Sequence, residues 1–156
     1  MNVRDDSNNG RNDLLVQVAE KVREVTGAER SAVVFGEDAN STIHFVAATG
    51  PFAARVRGAR GPAEGSGLCG NVLGGGCSIL SKQTLGDDRI HQGIAVEMGI
   101  STALGVPVLH DGEPFAVLMA MNRTAGGSFS DQDEAALNTY AHEVADALWN
   151  VADHHA

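Results

Sequence analysis

Apolar residues recur at helical spacing near both ends of the chain, and in short dense runs between them. Leu14, Leu15, Val18, Val22 and Val25 follow three- and four-residue steps and stop at Gly27, which predicts an amphipathic helix. Ser31 to Glu37 and Ile43 to Thr49 read as two strands, with Asp38 to Ser41 as the turn between them. Pro51 to Gly67 is rich in Gly, Ala and Arg and takes no clear assignment. Gly65-Ser66-Gly67 opens a short helix over Leu68 to Leu73, which the glycines Gly74 to Gly76 must end. Cys77 to Lys82 reads as a short strand, and Arg89 to Gly99 as a helix with Ile90, Ile94 and Met98 on one side. Ala103 to Leu109 and Pro114 to Met121 flank His110-Asp111-Gly112-Glu113, and Asp-Gly between apolar runs marks a tight hairpin. Ser130, three residues ahead of Asp133, starts a helix that should run to about Val151. Its apolar stripe is Leu137, Tyr140, Ala141, Val144, Leu148 and Val151. This order of elements predicts an α+β domain.

At 156 residues and 43% hydrophobic, the chain is one globular domain's worth. The expected division is a flexible polar tail over residues 1–12, one domain over 13–152 and a frayed end over 153–156. Eleven Lys and Arg against 20 Asp and Glu give a formal charge of -9, which argues against a nucleic-acid partner. No apolar run approaches a membrane span, and Met1 to Asn12 lacks a signal peptide's apolar stretch. Two cysteines make no secreted disulfide framework, so a cytoplasmic location is expected.

Several stretches together resemble the GAF domain family. They are the Gly65-Ser66-Gly67-Leu68 turn, the run Met98 to Val108, Asp111-Gly112-Glu113 with the strand Phe115 to Met121, and Ser128 to Asp133. The resemblance covers roughly Asp13 to Trp149. It implies a six-stranded antiparallel sheet with the terminal helices on one face, and short helices and loops enclosing a small-molecule pocket on the other. It also implies a non-enzymatic signal-transduction sensor, of a kind that binds cyclic nucleotides, tetrapyrroles, haem or small metabolites. Such domains often form homodimers through their terminal helices. No effector domain is recognisable in the sequence, so output is expected to pass to another protein. The pocket implied here would be lined by Leu68, Cys69, Cys77, Ile79, His91, Ile94, Met98, Ser101, Leu104 and Met119. The sequence names no cofactor.

Specific chemistries can be set beside this reading. Gly67-Leu68-Cys69-Gly70 is similar to a segment of the free methionine-(R)-sulfoxide reductase branch, yet the position matching that branch's nucleophile holds Val96, after Gly93-Ile94-Ala95. A thiol redox sensor using Cys69 and Cys77 is the alternative. That reading requires the two, eight residues apart around the triple glycine, to approach to the roughly 4.4–6.8 Å between Cα atoms that a disulfide needs. Against it stands the plainer reading of two buried small hydrophobes. By resemblance His91 is a candidate axial haem ligand; otherwise it is a surface residue between Arg89 and Gln92. Neither cysteine adjoins a histidine, as bilin attachment would require. Asn122, Arg123, Phe129 and Asp131 keep part of the family's cyclic-nucleotide motif, with Gln132 and Asp133 departing from it. Arg55, Arg57 and Arg60 either gate an anionic ligand or stand in solvent. Val18, Val22, Val144, Leu148, Trp149 and Val151 are candidates for a dimer interface. His154 and His155, adjacent at the chain's end, suggest no site.

Overall fold

The computed structural model describes residues 3–152. In chain order the elements are α1 (Val3–Thr26), β1 (Ala28–Glu37), β2 (Thr42–Thr49), α2 (Ala53–Val56), β3 (Arg60–Pro62), α3 (Leu68–Gly75), β4 (Ile79–Ser81), α4 (Gln92–Met98), β5 (Ala103–His110), β6 (Glu113–Arg123) and α5 (Asp131–Val151). The strands form one antiparallel sheet in the order β3-β2-β1-β6-β5-β4. The α+β class and six-stranded sheet match the expectation. Among the described residues no helix is long and apolar enough to cross a membrane.

Turn chemistry sets the boundaries. Asp111 and Gly112 both take positive φ, 52° and 80°, the geometry a tight β5–β6 hairpin requires. Ser130 Oγ accepts from the Asp133 amide at 3.2 Å, and the Asp133 carboxylate accepts from the Ser130 amide at 2.9 Å, a complete capping box for α5. The first helix begins well before its apolar stripe. Val3–Asn12, expected as part of a flexible tail over 1–12, continues α1. Once nucleated, a helix gains one hydrogen bond per added residue. Arg11 Nε also donates to the Val151 carbonyl at 2.9 Å, tying the first helix to the last. The expected frayed end over 153–156 lies outside the described residues.

Side-chain parity in the central strands divides the interior in two. Val33, Phe35, Leu104, Val106, Val108, Ala116, Leu118 and Ala120 face α1 and α5, where they meet Leu15, Val18, Val22, Phe129, Leu137 and Leu148. Ala32, Val34, Ala103, Val117, Met119 and Met121 face the opposite way, toward Leu68, Cys69, Val72 and Leu73 of α3. The residues expected at a dimer interface are committed within the chain. Val18, Val22 and Leu148 are buried in the core, and Val144 and Val151 pack against it. Trp149 stacks on His110 with ring centroids 3.7 Å apart and meets Phe115 edge-on at 5.2 Å. Val16 of α1 remains 45% exposed, and Val144, Trp149 and Val151 of α5 are only partly buried.

Candidate functional site

The face away from α1 and α5 is not filled solid. A cavity of about 390 Å³ lies between the sheet and the short elements α2, α3 and α4. Its floor is Ala32 of β1, Ile43, Phe45 and Ala48 of β2, and Met119 and Met121 of β6. Leu68 and Cys69 of α3 close one side, and Ile90, Ile94 and Met98, from α4 and the residues before it, close another. Walls of this kind suit an apolar molecule, and the volume falls at the small end of ligand pockets.

Two close approaches hold the walls. Gly67 takes φ +88°, and a Cβ there would stand 2.5 Å from the His91 amide nitrogen, so the turn into α3 can abut the entry to α4 only through glycine. The loop ahead of α4 is clamped by Asp87, which accepts from the Arg89 amide at 3.0 Å, from Arg89 Nε at 2.9 Å and from Arg89 Nη2 at 2.7 Å. These bonds, Arg89's guanidinium foremost, hold the Asp87 carboxyl below the usual carboxylate range against the opposing effect of desolvation. Across the mouth, Arg55 Nη2 of α2 meets Glu97 Oε1 of α4 at 2.7 Å. Phe52, at α2's N-cap with φ 70°, lies with its ring centre 5.2 Å from Arg30 Cζ and 5.9 Å from Arg55 Cζ.

Of the expected pocket residues, Leu68, Cys69, His91, Ile94, Met98 and Met119 do line the cavity. Four do not. Leu104 points to the opposite core, because its neighbours Ala103 and Gly105 take the pocket's parity in β5. Ile79 packs against the edge of the pocket-side core, away from the cavity. Ser101 is exposed, its amide and hydroxyl both donating to Asn122 Oδ1. Cys77 is exposed beyond Gly76, whose left-handed conformation ends α3. Sequence reasoning missed the β2 contribution, Phe45 and Ala48, and Arg30 of β1. Arg55 and Arg60 line the cavity's edge; Arg57 is exposed and does not.

The thiols do not meet. Cys69 is buried in α3's first turn and Cys77 is exposed past its end, and the helical rise from Cys69 to Gly75 alone is about 9 Å, so the two stand as free thiols. Cys69 is buried, its Sγ 3.0 Å from Met119 Sδ, and burial pushes its thiol up to about 12. It is a packed hydrophobe rather than a poised thiolate. His91 does not suit an axial iron ligand. It is α4's N-cap, with Nδ1 accepting from the Ile94 amide at 3.2 Å, which in the neutral ring leaves the proton on Nε2. Iron at Nε2 would require that proton to move to Nδ1 and break the cap. Among the described residues no group of three or more His, Cys, Asp or Glu side chains is placed to hold a metal ion.

Known proteins give the fold a context. The family model described as GAF domain matches residues 10–148. The GAF domain of an Acinetobacter phosphoenolpyruvate-protein phosphotransferase is 18% identical, with a TM-score of 0.75 over 90% of this chain and 82% of that one. A type II free methionine-R-sulfoxide reductase from Thermoplasma acidophilum is 16% identical, with a TM-score of 0.74 over 92% of this chain and 95% of that one. The GAF-B domain of DevS from Mycobacterium smegmatis is 17% identical, with a TM-score of 0.69 over 90% of this chain and 93% of that one. At these identities the likeness is one of fold. No curated protein matches the chain.

Proposed function

The chain belongs to the GAF domain family, and from that premise we propose that it is a cytoplasmic, non-enzymatic sensor that holds a small ligand and signals through its terminal helices. The observation that carries this reading is the cavity of about 390 Å³ on one face of a sheet whose other face is covered by α1 and α5. β1 and β6 contribute side chains to both faces, so a ligand that reseats Ala32 or Met119 acts on strands that also carry Val33 and Leu118. Signalling then requires that the ligand bind one arrangement of the helices better than another. The output would go to a second copy of the chain or to a separate effector, through the outer faces of α1 and α5.

The reductase reading has less support. Val96 stands where that branch's attacking cysteine would be, is 66% exposed on α4, and brings no nucleophile. The redox alternative lacks a second thiol within reach of Cys69. Native mass spectrometry of the protein as purified from cells tests the sensor reading. A stable added mass that dissociates on denaturation is expected, and the same spectrum reports monomer or dimer. Methionine sulfoxide reduction by the purified protein would overturn the non-enzymatic assignment.

A further inference from the structure

Hydrocarbon dominates the cavity wall, so an occupant must present an apolar body to Phe45, Ile94, Met119 and Met121. Set into that wall is one buried cation. Arg30 is only 6% exposed, and in β1 it shares the parity of Ala32 and Val34, whose side chains face the pocket-side core. Its Nε donates to Glu29 Oε1 at 3.2 Å and its Nη1 to the Met98 carbonyl at 2.7 Å. Among the described residues, Nη2 has no hydrogen-bond partner. A guanidinium carries five N–H donors in a planar fork, and those on Nη2 remain available to an acceptor. Arg30, a buried residue on the cavity lining, thus keeps an unused donor group at the edge of an apolar space.

The other charges at the cavity are already matched. Arg55 is paired with Glu97 and Arg60 with Glu37, and both arginine side chains are more than half exposed. Glu97, a carboxylate on the lining, is therefore neutralised. Glu29, the partner of Arg30, has a side chain 42% exposed and so partly solvated. An anion entering the cavity meets no unpaired lining carboxylate and one largely buried cation, Arg30, whose Nε is held by Glu29 and whose Nη2 is left for a second acceptor. A single planar fork suits a carboxylate, whereas a phosphate dianion in an apolar wall would need donors that a lone guanidinium does not supply.

We propose that the cavity takes a monocarboxylate with an apolar body, its carboxylate held by Arg30. The inference rests on the reading of this cavity as a ligand pocket and adds the chemical class of the ligand. Isothermal titration with 4-phenylbutanoate and its uncharged counterpart 4-phenylbutanamide tests it. The acid should bind at least about tenfold more tightly than the amide, as a charge-assisted pair would give. In Arg30→Met the two probes should bind within about twofold of each other. Should that variant not fold without its bond to Met98, Arg30→Lys keeps the charge, loses the fork and should cut the acid's advantage at least about threefold. Ala48→Phe, which fills the cavity floor, should abolish binding of both probes. Equal affinity of acid and amide, or an acid preference undiminished in the Arg30 variants, overturns the carboxylate inference and leaves the pocket standing. Failure of both probes to bind the native protein at millimolar concentration overturns the pocket reading together with it.

Discussion

Cys69 sits in the first turn of α3, where backbone amides and the helix dipole favour an anion, yet burial against Met119 decides its state. Its thiol stays protonated to about pH 12, whereas an unfolded chain releases that proton near pH 9.0. The sign follows from linkage. Between these values the unfolded state binds fewer protons, so the contribution is intact below pH 9.0 and is lost as pH rises toward 12. Relative to Cys69→Ala, the native protein should lose about 1.4 kcal/mol of stability per pH unit above pH 9 in urea unfolding. At neutral pH, iodoacetamide should label Cys77 rapidly and Cys69 only on unfolding, and mild peroxide should produce no Cys69–Cys77 disulfide. Equal labelling of the two thiols in the native protein would remove the packing assignment. The plainer sequence reading, two buried small hydrophobes, holds for Cys69, packed on a methionine fifty residues away, and fails for Cys77, which is exposed. Leu104 misled for a related reason. A hydrophobic run buried on both faces shows no alternation, so nothing local says which of Ala103 and Leu104 faces the cavity.

Short elements with little intrinsic stability build the pocket, and their positions rest on a few polar clamps. Asp87 and Arg89 supply one of these, between β4 and α4. Because the Asp87 carboxyl titrates below its ordinary 3.8, its stabilising effect is present above that pH and fades as pH falls below it. Asp87→Asn should cost about 1–2 kcal/mol at pH 7, discounted for the half-exposed arginine. The gap from the native protein in urea midpoint should narrow as pH falls below 3.8. A gap that stays constant between pH 4 and pH 2 would mean that Asp87 acts through packing instead. α5 is held differently, by its capping box, and Ser130→Ala should lower stability by about 1 kcal/mol without altering probe binding. These elements were unequally legible. The terminal helices, the β1–β2 hairpin and the β5–β6 hairpin have strong local signals in stripes, caps and Asp-Gly, and they stand where the pattern puts them, except that α1 begins before its stripe. α2 and β3 do not, because four- and three-residue elements carry no period. Their order comes from pairing with β2 and from Arg55–Glu97 and Arg60–Glu37 contacts distant in sequence. For the same reason Arg30 was indistinguishable in sequence from a surface arginine at a strand's start.

A sheet with a cavity on one face and two packed helices on the other can pass a signal only if its strands move as units. β1 and β6 are the central pair, joined over Ala28–Phe35 and Ala116–Arg123, and each alternates between the two cores. Arg30 strengthens that link, since it carries β1 and holds the last turn of α4 through the Met98 carbonyl. Ser31, the next residue, donates to the Ala19 carbonyl of α1 at 2.6 Å. A ligand carboxylate on Arg30 would therefore act one residue away from a buried hydrogen bond to α1. Binding to the folded chain alone should raise its unfolding free energy by about 2.7 kcal/mol with 4-phenylbutanoate at a hundred times its dissociation constant. Where that protection falls distinguishes a sensor from a simple container. Hydrogen exchange followed by mass spectrometry should show slowing in α2 and α4, where the mouth closes, and also in α1 around Ala19 and in α5 where Arg11 binds Val151. Slowing confined to α2, α3 and α4 would mean that the sheet absorbs the ligand without moving its far face. Ser31→Ala separates the two cases further. It should leave the acid's preference over the amide unchanged, because its hydroxyl bonds to Ala19 and Thr49 rather than to Arg30, while uncoupling α1 from the protection seen on binding.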